Sequence, residues 1–85
     1  MIKVIVSVRD KKSEVFNDIH VEINAASAIR AFEMSVKEAP YKDDYVLYQV
    51  GTFDTNNGQV TPNEPIQLYT GLDVKVDNVV NINEQ

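Results

Sequence analysis

The chain contains no cysteine among its 85 residues. That excludes a disulfide framework, a thiol nucleophile and a cysteine-ligated zinc site. Its single histidine, His20, has no second imidazole or thiol with which to build an ordinary zinc site or a catalytic triad. It reads as a solvent-facing strand residue. No apolar run approaches the ~18 residues of a membrane span. The opening Met1-Ile2-Lys3-Val4-Ile5-Val6 is too short and too quickly charged for a signal peptide. The expectation is a soluble intracellular protein with no membrane partner. Basic residues are nearly missing from the second half. Residues 1–42 carry seven basic and six acidic side chains, a charge of +1, whereas residues 43–85 carry only Lys75 against seven acids, a charge of −6. An acidic chain has no general attraction to nucleic acid, so any such contact must come from a local basic patch in the first half.

What is present is ordinary for one small domain: 44% hydrophobic and 25% charged residues. We expect a single domain over residues 1–80 and a frayed tail over 81–85. Ile2, Val4, Val6 and Val8 alternate with Lys3, Ile5, Ser7 and Arg9, which predicts a first strand with one apolar face. Asp10-Lys11-Lys12-Ser13-Glu14 is a charged turn. Ile19, Val21 and Ile23 alternate with His20 and Glu22, which predicts a second strand in an antiparallel hairpin with the first. Asn24 is a helix N-cap. Over residues 25–38, Ala25, Ala28, Ile29, Phe32 and Val36 form a helical apolar stripe, with Arg30, Glu33 and Lys37 opposite. Pro40 stops the helix.

Residues 45–54 read as a central strand with two apolar faces: Tyr45, Leu47 and Phe53 on one, Val46, Tyr48 and Val50 on the other. Gln59-Val60-Thr61 returns antiparallel to it, Pro62 and Pro65 interrupt, and Ile66-Gln67-Leu68-Tyr69 resumes. Val74 and Val76 suggest a last short strand. The predicted order is β-β-α-β-β, a two-layer α+β domain whose antiparallel or mixed sheet carries one helix, in a β-grasp-like arrangement.

The segment Asp54-Thr55-Asn56-Asn57-Gly58 has the look of a site. As a calcium loop it places Gly58 at the fifth position and Pro65 where a bidentate Glu belongs. As a phosphate loop it lacks the Lys after its glycine. As a turn every residue fits, because Asp and Asn bond their own backbone and Asn57-Gly58 tolerates positive φ. Asp43-Asp44 reads as solvated charge. No nucleophile, base and orienting group come together, so no enzyme, cofactor or metal is expected.

The basic group is more informative. Arg9, Lys11 and Lys12 lie in one turn, and Lys3 shares a strand face with Arg9. Such a turn can contact roughly two to four phosphates, and Phe16, Tyr41, Tyr45 and Tyr48 are candidate stacking surfaces. Arg30, Lys37 and Lys42 extend the patch if the helix lies beside it. The candidate nucleic-acid site is therefore Lys3, Arg9, Lys11, Lys12, Arg30, Lys37, Tyr41 and Lys42. The competing reading pairs Arg9 with Asp10 or Glu14, and Arg30 with Glu33, as plain surface charge.

Three blocks carry a resemblance: Ser7-Val8-Arg9-Asp10 with Phe16; Ala28-Ile29-Arg30-Ala31-Phe32; and Leu47-Tyr48-Gln49-Val50-Gly51-Thr52-Phe53-Asp54. In this order and spacing, over residues 5–62, the chain resembles the small nonstructural protein of gokushovirus-type microviruses, phages with circular single-stranded DNA. The family's Pro- and Phe-rich piece after the first Phe is replaced here by Asn17-Asp18-Ile19-His20. The resemblance implies a protein of the host bacterial cytoplasm, absent from the virion, that acts in genome replication or packaging. Two functions follow as expectations. One is nonenzymatic binding of single-stranded DNA through the basic turn and nearby aromatics. The other is a protein–protein module whose acidic half recruits the phage replication initiator or a host replication protein. A domain this small with strand edges is also a candidate homodimer.

Overall fold

The computed structural model describes residues 1–75. Strand β1 (Ile2–Asp10) leads into two short strands, β2 (Val15–Phe16) and β3 (His20–Glu22). Helix α1 (Ala25–Val36) follows, then a 3-10 turn at Lys42–Asp44, the long strands β4 (Tyr45–Asp54) and β5 (Val60–Thr70), and a second 3-10 turn at Gly71–Asp73. Every strand pair is antiparallel. The strand order is β2-β1-β4-β5, with β3 beside β1 on the same edge as β2.

This corrects the expected two-layer α+β, β-grasp-like domain. Strands take up 47% of the described chain, and the sheet curls into an antiparallel half-barrel with one helix. Length is the physical reason. At 12 residues the helix is about 18 Å long, while the 11 residues of β5 reach roughly 35 Å. One helix cannot cover such a sheet, so the sheet curls to bury its own faces.

The helix begins as its sequence dictates: the Asn24 side chain accepts the backbone N–H of Ser27 at 2.9 Å, which satisfies one orphan donor of the first turn. It ends at Val36, two residues before the expected Glu38, and Ala39 N–H closes the chain onto the Val36 carbonyl at 2.9 Å. Its stripe is buried at Ala28, Phe32 and Val36, against Val6 of β1, Leu47 of β4 and Val74. Each large apolar side chain so buried contributes about 1.5–3 kcal/mol. Val74 belongs to no strand; its side chain closes the core instead. Val76 and the tail over 81–85 lie outside the described residues.

Three further expectations are corrected. Between Ile5 and Val6 the β1–β4 register jumps from Gly51 to Gln49, leaving Val50 as an extra residue in β4. Such a bulge reverses the face on which later side chains fall. Phe53, directly opposite Lys3, therefore joins Val46 and Tyr48 rather than Tyr45 and Leu47. Second, β5 runs unbroken through Pro62 and Pro65. It is an edge strand, and Asn63 to Pro65 fall in an irregular stretch between the pairs Gln49–Ile66 and Gly51–Pro62. Proline is tolerated there because no ladder donor is required, and the Asn63 side-chain amide donates to the Gln49 carbonyl at 3.2 Å. Third, β3 is turned over: Val21 pairs with Ile5, so His20 and Glu22, opposite Val6 and Val4, lie on the helix side, and Val21 stays exposed.

The Asp54–Gly58 segment is a hairpin turn. Gly58 N–H donates to the Asp54 carbonyl at 2.7 Å, Asp54 N–H to the Gln59 carbonyl at 2.9 Å, and the Asp54 carboxylate accepts Asn56 N–H at 2.9 Å. Gly58 takes φ +75, the left-handed conformation glycine adopts without cost. Among the described residues, no helix is long and apolar enough to cross a membrane.

Candidate nucleic-acid interface

Strand β1 divides its side chains between two faces. Val4, Val6 and Val8 go to the helix; Lys3, Ile5, Ser7 and Arg9 go to the other face. The registers build that second face in rows. At one end Lys3 stands beside Phe53, and Phe53 beside Val60. Next come Val21, Ile5, Gly51 and Pro62, then Ser7, Tyr48 and Gln67. At the far end are Phe16, Arg9, Val46 and Thr70.

Aromatic and cationic groups meet at the far end. The Arg9 guanidinium sits 5.9 Å from the Phe16 ring centroid, within cation–π range. Phe16 meets Tyr48 edge to face with centroids 5.3 Å apart, a favoured aromatic geometry. Phe16 remains 43% exposed, so the cluster is open on one side. A part-buried bond holds its position. Ser7, 1% exposed, donates its hydroxyl to the Asn17 carbonyl at 2.7 Å, and Asn17 N–H returns to the Val8 carbonyl at 2.8 Å. The segment just after Phe16 is thereby pinned to β1.

The charged turn adjoins this cluster. Lys12 N–H donates to the Asp10 carboxylate at 2.9 Å, Glu14 N–H to the Asp10 carbonyl at 2.8 Å, and Lys11 N–H to the Asp44 carbonyl at 2.8 Å. These bonds fix the turn backbone and leave the Lys11 and Lys12 side chains exposed. Tyr41, 71% exposed, borders a hollow shared with Asp10, Lys12, Asp44 and Tyr45.

The structure thus brings Arg9, Lys11, Lys12 and Tyr41 to one end of the sheet. Lys3 lies on the face of Arg9, six residues away along β1, or about 20 Å. Arg30 and Lys37 are not part of this group: Arg30 sits on α1 and Lys37 at its C-cap, beside Glu33, Met34, Val74 and Lys75, on the helix side of the sheet. Lys42 has an internal task. Its ammonium donates to the Gly71 carbonyl and to the Asp43 carboxylate, both at 3.0 Å, tying the two 3-10 turns together. Phe53 is the residue that sequence reasoning missed as a site candidate, because the Val50 bulge that turns it to this face has no local sequence mark.

At the registered positions, carboxylates avoid the same face. Asp10, Glu22 and Asp54 take register positions opposite Tyr45, Val4 and Ile2, all on the helix side, and none of the registered positions beside Lys3, Ile5, Ser7 and Arg9 is acidic. In a chain of net charge −5, this sorting leaves Lys3 and Arg9 without an acidic cross-strand neighbour on that face. Among the described residues no three His, Asp or Glu side chains come close enough to hold a metal ion.

The sequence blocks acquire structural tasks. Ser7 and Arg9 build the cluster with Phe16, Ala28 and Phe32 fill the core, Leu47 lies beneath the helix, and Tyr48 and Phe53 lie on the open face. Gly51 is required where β5 crosses closely: a Cβ there would come 2.7 Å from the Thr61 carbonyl oxygen. No curated protein and no solved structure matches the chain. A family described as phage ORF5 protein does match, over residues 3–74, from the start of β1 to the buried Val74. On that extent, the chain belongs to the phage ORF5 protein family.

Proposed function

We propose that this phage ORF5-family chain is a nonenzymatic protein that binds single-stranded DNA in the replication or packaging of a microvirus-type genome. It acts in the host bacterial cytoplasm and stays out of the virion. The observation that carries this reading is the junction of the Arg9–Phe16–Tyr48 cluster with the exposed Lys11–Lys12 turn. A single strand offers phosphates to the cations and unstacked bases to the rings. Duplex DNA hides its base faces and gains only from the cations.

The test is fluorescence anisotropy of a labelled single strand of roughly 20 nucleotides, at about 50 and about 200 mM salt, with duplex of the same sequence alongside. Micromolar or tighter, salt-sensitive and single-strand-preferring binding is expected. No binding at the lower salt refutes the reading.

One observation favours a second reading. Strand β5 lies at the sheet edge and belongs to the half of the chain that carries −6. An edge strand in the acidic half of the sequence suits docking of a basic surface by strand addition, on the phage replication initiator or a host replication protein. A partner captured by the chain and retained after nuclease treatment supports this reading, and loss on nuclease treatment returns the assignment to DNA.

A further inference from the structure

Resting on the single-strand reading above, we infer that the bound DNA reaches from the Arg9–Phe16–Tyr48 cluster to a second station at Lys3 and Phe53, on the sheet face away from the helix. Both stations have the same makeup. Each sets a β1 cation beside an aromatic ring on the adjoining strand: Arg9 beside Phe16, and Lys3 directly opposite Phe53. Between them Gly51, Ile5 and Ser7 are buried, Ile5 at 4% exposed and Ser7 at 1%, so the middle of the face offers no groups of its own and the contacts fall at the two stations. The stations are six residues apart on β1, about 20 Å, which suits a site of about four or more nucleotides.

Charge identifies the occupant. A protein partner docking on an apolar face requires no cations at its ends. A polyanion with planar bases requires both features, together with the absence of carboxylates seen at every registered position of this face. The cations would neutralise phosphates while the rings accept bases of any identity, so recognition is independent of sequence. The Val50 bulge is what gives the second station its ring. Without it, Phe53 would fall on the helix side and Lys3 would have no ring beside it.

The experiment compares wild-type protein with Phe53→Leu, Lys3→Gln and the Lys11→Ala/Lys12→Ala pair on oligothymidine, with thermal melts to establish folding. Bromodeoxyuridine photocrosslinking maps the wild-type contact. Phe53→Leu should weaken binding on the order of tenfold with an unchanged salt slope, as loss of one base stack does. Lys3→Gln should flatten the slope by about 0.7, and crosslinks should form at Phe53 as well as in the cluster. Lys3→Gln removes only a charge from a half-buried strand position, so it remains informative should Phe53→Leu fail to fold. If wild type binds and the turn variant weakens it, yet both second-station variants keep wild-type affinity and no crosslink reaches Phe53, the second station is refuted and the DNA reading stands. If wild type does not bind at about 50 mM salt, both fall together.

Discussion

The Arg9 guanidinium lies 5.9 Å from the centroid of the Phe16 ring, which itself abuts Tyr48 at 5.3 Å. Arg9 therefore uses the ring of its cross-strand partner as a platform, and both keep an open side. Replacing Phe16 by Leu removes the platform but keeps an apolar residue at a position already 43% exposed. We expect single-strand affinity to fall on the order of tenfold while stability changes by less than about 1 kcal/mol. Anisotropy titration and a denaturant melt read the two effects separately.

The turn makes a different contribution. Lys11 and Lys12 extend into solvent from a backbone fixed by Asp10. A patch contacting about two to four phosphates gives a log-affinity slope against log salt of roughly −1.4 to −2.8. Changing both lysines to Ala is expected to flatten this slope by about 1.4 and to weaken all sequences alike. An unchanged slope would remove the turn from the interface.

Lys42 is expected to act on stability and not on DNA. Its ammonium ties Gly71 and Asp43, so Lys42→Ala should cost about 1 kcal/mol with affinity unchanged. The neighbouring Gly71 is more demanding: a Cβ there would overlap the Lys42 backbone carbonyl. Gly71→Ala should cost about 2 kcal/mol or more, because backbone on both sides must move. Urea unfolding of both variants provides the comparison.

Glu14 holds φ at 64, the left-handed region where a side chain costs roughly 1–2 kcal/mol. Glu14→Gly relieves this at some cost in unfolded-chain entropy. The expected net gain is about 0.5 kcal/mol, visible as a raised denaturant midpoint with an unchanged m-value.

Tyr69 joins three elements. Its hydroxyl donates to Glu33 of α1 at 3.1 Å and lies 3.3 Å from the Asp73 carbonyl, and its ring meets Phe32 edge-on at 6.3 Å. Partial burial first, then the hydrogen bond to Glu33 and the negative charges of Glu33 and Asp73, raise its pKa above the ordinary value near 10. The unfolded chain then ionises Tyr69 before the folded one does. Its contribution to stability is complete below about pH 10 and is lost as pH rises from there through the folded pKa. In Tyr69→Phe this alkaline loss should shrink; stability measured across pH 8–12 by chemical unfolding tests it, since pH 12 lies about 2 units above the ordinary tyrosine value.

Local features were legible in the residues themselves. Asn24 caps because its side-chain oxygen accepts Ser27 N–H. The Asp54–Gly58 turn closes because Asp and Asn bond their own backbone and glycine accepts positive φ. The stripe Ala28, Phe32, Val36 is buried because its spacing follows the helical period. The basic character of the Arg9–Lys12 turn was equally plain. Such short-range physics involves residues within about five positions of each other, so the order of residues contains it.

Partners across the sheet were another matter. Both faces of β4 are apolar, and nothing in Gln49-Val50-Gly51 shows that Val50 is the extra residue. Only pairing with β1 decides that, and with it the side on which Phe53 lies. The same holds for β3, whose Val21 faces away from the helix because Ile5 stands opposite, and for β5, which runs through two prolines because it lies at an edge. The curled, mostly β architecture follows from strands far longer than the one helix can cover. Lys42 shows the point at a single residue: a lysine in a polar loop reads as free charge until the chain returns 29 residues later to place the Gly71 carbonyl against it. Composition, capping, turns and the basic segment were thus set by the sequence alone. Which cations and rings share a face was decided by tertiary register, because a shift of one residue moves every later side chain to the opposite side of the sheet.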